Sequence, residues 1–98
     1  IRIPYDVRLL GCRAVQFIAG SSGALEVNIE KSSDSGATWN SIITTPISVD
    51  FSLGDYAVES GILDGTQDLS VGDFLRLNVN AIQTDGRDFQ VVVEYEGR

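Results

Sequence analysis

Apolar and polar residues alternate along most of this chain, and no stretch carries helical spacing over a useful length. Leu25, Val27 and Ile29 face one way while Glu26, Asn28 and Glu30 face the other, which predicts a half-buried strand. Leu75, Leu77, Val79 and Ala81 alternate with Arg76, Asn78 and Asn80, and Phe89, Val91, Val93 and Tyr95 alternate to the end. Val7 to Ala19 reads as extended, with Gly11 as a bulge or bend. A Gly/Ser turn follows from Gly20 to Gly23. Thr38 to Thr45 is predicted as a returning strand that Pro46 ends or confines to an edge. In the middle, Val49–Phe51 and Tyr56–Val58 read as short strands around Leu53-Gly54-Asp55, and Ile62-Leu63 begins another. Asp64-Gly65, Val71-Gly72-Asp73 and Asp85-Gly86 read as turns. The sum is an all-β chain: a single antiparallel β-sandwich or jelly roll of about seven to eight strands over residues 1–98. Residues 1–5 are left over as an extended arm.

Ser32, Asp34, Gly36, Thr38 and Trp39 spell S-x-D-x-G-x-T-W between two alternating runs, and so mark a β-hairpin. Short Ser and Asp side chains accept hydrogen bonds from turn N–H groups, and Gly tolerates positive φ. Trp39 is expected to pack against the core beside that turn.

Composition narrows the function classes. There are 14 acidic residues against 7 basic, a formal charge of −7, spread without long runs. Such a surface disfavours nucleic acid and anionic membrane as partners. No apolar run reaches the length of a membrane-spanning helix. Cys12 is the lone cysteine, so no intrachain disulfide forms; it reads as a buried thiol sharing a face with Leu10 and Ala14. The absence of Met and the start at Ile1 read as a processed terminus or as part of a longer product.

The chain contains no His. That removes the commonest general base, the usual activator of a nucleophile and the commonest metal ligand. Glycosidase-type chemistry needs two carboxylates across a cleft, for which a thin sandwich has little room. Asp50, Asp55, Asp64, Asp68 and Asp73 are read as loop residues that suit a hard cation in type, but no calcium-loop series is present. The expectation is a protein without enzymatic activity, metal or cofactor, working by contact. Tyr5, Tyr56, Asp55 and Asp64 are the candidate ligand or subunit contacts, since they lie in irregular segments where aromatics and carboxylates reach solvent. Ile18, Ile42 and Val92 lie off their strands' main apolar faces, and are read either as a second buried surface at a subunit contact or as two-sided burial.

Two resemblances add to this. Ser32 to Trp39 resembles the Asp-box of sialidase-type propellers at all five defining positions, a structural motif even there. Ile3-Pro4-Tyr5-Asp6-Val7 leading to Leu10-Gly11 is similar to the opening of small phage and prophage virion proteins. Leu69, Gly72, Asp73, Leu75, Arg76 and Val79 match their late L-x-x-G-D-x-L-R-x-x-V segment, and the G-D-x-L turn also resembles tumour-necrosis-factor-like jelly rolls. The resemblance implies a jelly-roll module on the phage particle, in a fibre, baseplate or capsid-decorating position. It also implies a homotrimer, with other virion proteins or a host-surface glycan as partners. Ile47 to Gly65 matches neither pattern and is the expected seat of binding specificity. A carbohydrate-binding module of a larger protein is the alternative.

Overall fold

In the computed structural model, which describes residues 1–98, the chain forms eight strands and one short 3-10 turn. The strands are β1 (Val7–Ile18), β2 (Ala24–Ser32), β3 (Asn40–Ser41), β4 (Ile47–Asp50), β5 (Ala57–Gly61), β6 (Asp68–Leu69), β7 (Phe74–Ala81) and β8 (Arg87–Gly97). They make two antiparallel sheets facing each other, a β-sandwich. Each sheet is built alike. β1 is flanked on one edge by β5 and β6 and on the other by β8; β2 is flanked by β3 and β4 and by β7.

The glycine bulge in β1 decides which residues enter the core. Leu9 pairs with Tyr95 and Gly11 with Glu94, so Leu10 is an extra residue without a partner. Parity flips there. Leu9 and Cys12 both point inward with Ala14 and Gln16, while Leu10 stays exposed. The expectation that Leu10 shares the face of Cys12 is thereby corrected. Cys12 is buried, and burial pushes its thiol pKa up. Its sulfur packs on Gly61, where an added Cβ would come within 2.7 Å of it.

The predicted strand from Thr38 to Thr45 shrinks to Asn40–Ser41. Beyond it the chain leaves the sheet edge. The Ile42 N–H still donates to the Ile29 carbonyl at 2.9 Å, but the Thr44 N–H donates to Ile62 and the Asp64 N–H returns to Ile42. Ile43 bridges to Leu63. This crossover stitches the two sheets along one flank, and it buries both Ile42 and Ile43, which a two-faced strand cannot do. After Pro46 the chain rejoins the edge as β4, opposite Ala24–Val27.

Other boundaries move as well. Phe51–Leu53 is a 3-10 turn rather than strand, capped by the Asp50 carboxylate, which accepts from the Ser52 N–H. β5 starts after Tyr56, whose φ of 61° puts it in a turn. Leu63 makes only the single bridge to Ile43, and β6 is two residues long, below what a pattern can register. The N-terminal arm is extended but tied down. Ile1 and Leu75 exchange hydrogen bonds, and the Ile3 N–H donates to Asp73. Ile18 shares the inner face of Ala14 and Gln16, and Ile42 is core; of the three residues set apart above, only Val92 points outward with Arg13.

One end of the sandwich is closed by buried glutamines. Gln16 donates to the Asp50 and Gly54 carbonyls, while Gln83 donates to Gln16 and to the Val49 carbonyl and accepts from the Gly20 N–H. Gly20 must be glycine, since a Cβ there would lie 2.2 Å from the Thr84 carbonyl oxygen. Replacing Gln83 with Leu leaves the Gly20 N–H without its acceptor and the buried Gln16 Oε1 without its donor. The expected cost is about 2–3 kcal/mol, with the thermal midpoint falling by roughly 10–20 °C. Thermal unfolding followed by circular dichroism checks this, and an unchanged midpoint contradicts it.

Candidate interaction surface

The hairpin motif folds as its residues dictate. The Ser32 hydroxyl donates to Asp34 Oδ1 at 2.7 Å and accepts from the Gly36 N–H at 2.9 Å. Asp34 also accepts from the Thr38 N–H at 2.9 Å and from the Thr38 hydroxyl. Gly36 adopts φ of 88°. Trp39 differs from expectation: it is half-buried and outside the core, with its indole N–H donating to the Gly36 carbonyl at 3.1 Å. The Arg76 guanidinium stacks over the ring at 4.2 Å and pairs with Glu30 at 2.9 Å. The indole thus closes its own turn and leans on β7.

The four candidate contacts do not converge. Tyr5 and Tyr95 share a hydrogen bond between hydroxyls at 3.1 Å, with ring centroids 6.3 Å apart. That bond pushes the Tyr5 pKa up. Tyr56 lies at the other end of β1, edge-on to Phe17. Ten residue steps along the extended strand from Val7 to Phe17 put roughly 30 Å between the two sites. Asp55 accepts the Ala19 N–H at 2.8 Å, and Asp64 sits exposed in the β5–β6 connection. The chain has no shallow groove in which Tyr5, Tyr56, Asp55 and Asp64 meet.

The remaining acids are likewise engaged separately. Asp68, which stands in β6 rather than a loop, pairs with Arg8 at 2.7 Å, and that bond holds its carboxyl below the usual range. Asp50 is held low by the Ser52 hydroxyl, and Asp73 accepts the Ser70 N–H. No three of the Asp, Glu and Cys side chains gather around one point. The buried Gln67 Oε1 lacks a partner, but its amide nitrogen is fixed on the Asp64 carbonyl at 2.6 Å.

The surface that stands out is one the candidate list omits. Opposite the stitched flank, β7 belongs to one sheet and β8 to the other, and the N-terminal arm spans them at one end, from Ile1 beside Leu75 to Tyr5 beside Tyr95. Their inner faces diverge and leave a groove of about 970 Å³. Twelve of its 15 lining residues are hydrophobic, among them Leu77, Phe89, Val91 and Val93, and its lone charged residue is Arg76. Tyr5 and Tyr95 stand at its rim. Leu77 is 42% exposed, Val79 40% and Phe89 38%, although all three point inward. The alternation in the sequence correctly gives their face but not whether anything covers it. A free chain of 10.6 kDa is expected to expose about 5,500 Å², and this one exposes 5614 Å². The fold is therefore ordinary in total surface and unusual in where its apolar surface lies.

No protein-family model, curated protein or solved structure matches this chain.

Asp34 supplies a test of the hairpin. Its donors hold its pKa at about 2, the Thr38 hydroxyl foremost. Since the unfolded value is about 3.9, the stabilisation is complete above that pH and is lost as pH falls toward 2. The Thr38 amide resonance is expected to titrate with a midpoint near 2, and to lose that step in Asp34→Asn. A midpoint near 4 contradicts the geometry.

Proposed function

We propose that this chain is a non-enzymatic structural module of a phage particle that acts by assembly and adhesion. Its work is contact, and the contact surface is the open apolar flank between β7 and β8. The observation that carries the reading is that groove: in a chain of net charge −7, the acids are absent from the lining of the largest hollow. A soluble monomer gains nothing from keeping such a face open to water, whereas an assembling subunit gains the burial energy when neighbours cover it. The jelly-roll-like pattern of Leu69 to Val79 supports the virion setting, and the resemblance implies three copies bound to other virion proteins or a host-surface glycan. The carbohydrate-binding alternative draws less support, because Tyr5 and Tyr56 stand at opposite ends of β1.

Light scattering over a range of protein concentrations tests this reading. The expected mass is a multiple of the 10.6 kDa chain, falling toward the monomer on dilution. Val79→Asp, on an exposed inner-face position, is expected to give the monomer at all concentrations with an unchanged circular-dichroism spectrum. A wild-type chain that stays at 10.6 kDa at every concentration contradicts assembly, and glycan binding by that monomer would favour the carbohydrate module.

A further inference from the structure

Two of the three tyrosines meet across the open flank. Tyr5 comes from the N-terminal arm and Tyr95 from β8, 90 residues away along the chain. Their hydroxyls share a hydrogen bond at 3.1 Å, and their rings are tilted at 53° with centroids 6.3 Å apart. That centroid separation is shorter than an end-to-end arrangement through the hydroxyls allows, so the two rings fold toward each other. In each ring the ε carbons flank the carbon that bears the hydroxyl. The shared bond therefore brings an ε edge of Tyr5 toward an ε edge of Tyr95. Both side chains also reach solvent, at 50% and 53% exposure.

We propose that Tyr5 and Tyr95 form a site of oxidative modification, at which a peroxidase using hydrogen peroxide joins them ε carbon to ε carbon. Each phenol gives up one electron and its hydroxyl proton, and the spin of the resulting phenoxyl radical spreads onto the ε carbons. A carbon–carbon bond then forms between the rings. The hydrogen on each bonded carbon moves to the oxygen of its own ring, which restores both hydroxyls and both aromatic systems. Two electrons and two protons have left the pair. One hydrogen peroxide takes them, its O–O bond breaks, and two waters form.

The rest of the chain directs oxidation to this pair. It contains no Met and no His, its one Cys is buried, and Trp39 lies beneath the Arg76 guanidinium. Tyr56 is 72% exposed, but the ring beside it is Phe17, which has no hydroxyl to lose a proton. The bond also falls where the fold lacks a tie. The arm is hydrogen-bonded to β7 through Ile1 and Leu75, and β8 belongs to the other sheet. A link from Tyr5 to Tyr95 thus fastens the two sheets along the flank that the core leaves open. It closes a loop over nearly the whole chain, the case in which a cross-link restricts the unfolded state most.

Peroxidase and hydrogen peroxide applied to dilute wild-type protein, followed by trypsin and mass spectrometry, test the inference. Trypsin separates Tyr5, in residues 3–8, from Tyr95, in residues 88–98, unless the two are linked. The expected product is these peptides joined, with two hydrogen atoms missing, from chains that still run singly on a denaturing gel. Tyr5→Phe and Tyr95→Phe are each expected to abolish it, and Tyr56→Phe to leave it intact. The linked chain is expected to unfold at least about 10 °C above the unlinked one. Oxidised protein in which the two peptides stay separate, or are joined only between chains, overturns the proposal. A link within the chain that leaves the thermal midpoint unchanged overturns its role in fastening the sheets. The assembly reading rests on the groove and stands or falls apart from these results.

Discussion

The two sheets of this sandwich are held together unevenly, and the rest of the structure follows from that asymmetry. Along one flank the backbone itself passes from sheet to sheet, through Ile42 to Pro46 and its hydrogen bonds with Ile62 and Asp64. One end is sealed by Gln16 and Gln83, which bind the Gly54 carbonyl and the Gly20 N–H in two loops and the Val49 carbonyl of β4. Between these ties lies the core of Val27, Ile42, Val49, Leu69 and their neighbours. With only 18 of 98 residues buried, that core is too small to reach the far flank. The inner faces of β7 and β8 consequently remain apolar and open.

Those same constraints explain why the charge distribution takes the form it does. Polar pairs such as Arg8–Asp68 and Arg13–Glu94 stand on outer faces, where solvent screens them. They keep the outer surface soluble without contributing much to stability. The stability rests on the core and on the satisfied glutamines, where an unpaired group is far more costly than a lost surface ion pair. The open flank carries no acid, and Arg76 is the one charged side chain that a cover over its apolar residues would meet.

Much of this architecture is legible in the residues. The long strands β1, β2, β7 and β8 follow from period-two alternation, and the Ser32–Trp39 turn follows from hydrogen-bonding side chains at fixed offsets. Both signals are local. What escapes the pattern is decided by distant partners. Ile42 and Ile43 are adjacent and both buried because Leu63 lies across from them, which alternation reads only as a strand. The Gly11 bulge is recognisable, but its parity flip, which frees Leu10 and buries Leu9, depends on the pairing with β8. β6 is too short to announce itself. The open flank is illegible for a further reason: Leu77, Val79 and Phe89 look like core in sequence, and only the assignment of β7 and β8 to different sheets shows that nothing caps them. Tyr5, a candidate contact by its irregular segment, stands at the groove rim, whereas Tyr56, Asp55 and Asp64 lie elsewhere.

Because Cys12 is buried, a cysteine introduced on the open flank is the one exposed thiol of the chain and makes that flank directly measurable. A cysteine placed at Leu77 should be alkylated at the rate of a free thiol in dilute protein and become shielded as concentration rises. Uniform, rapid alkylation at every concentration would mean that no neighbour ever covers this face, and uniform protection even in dilute protein would mean that the sheets close over it within one chain.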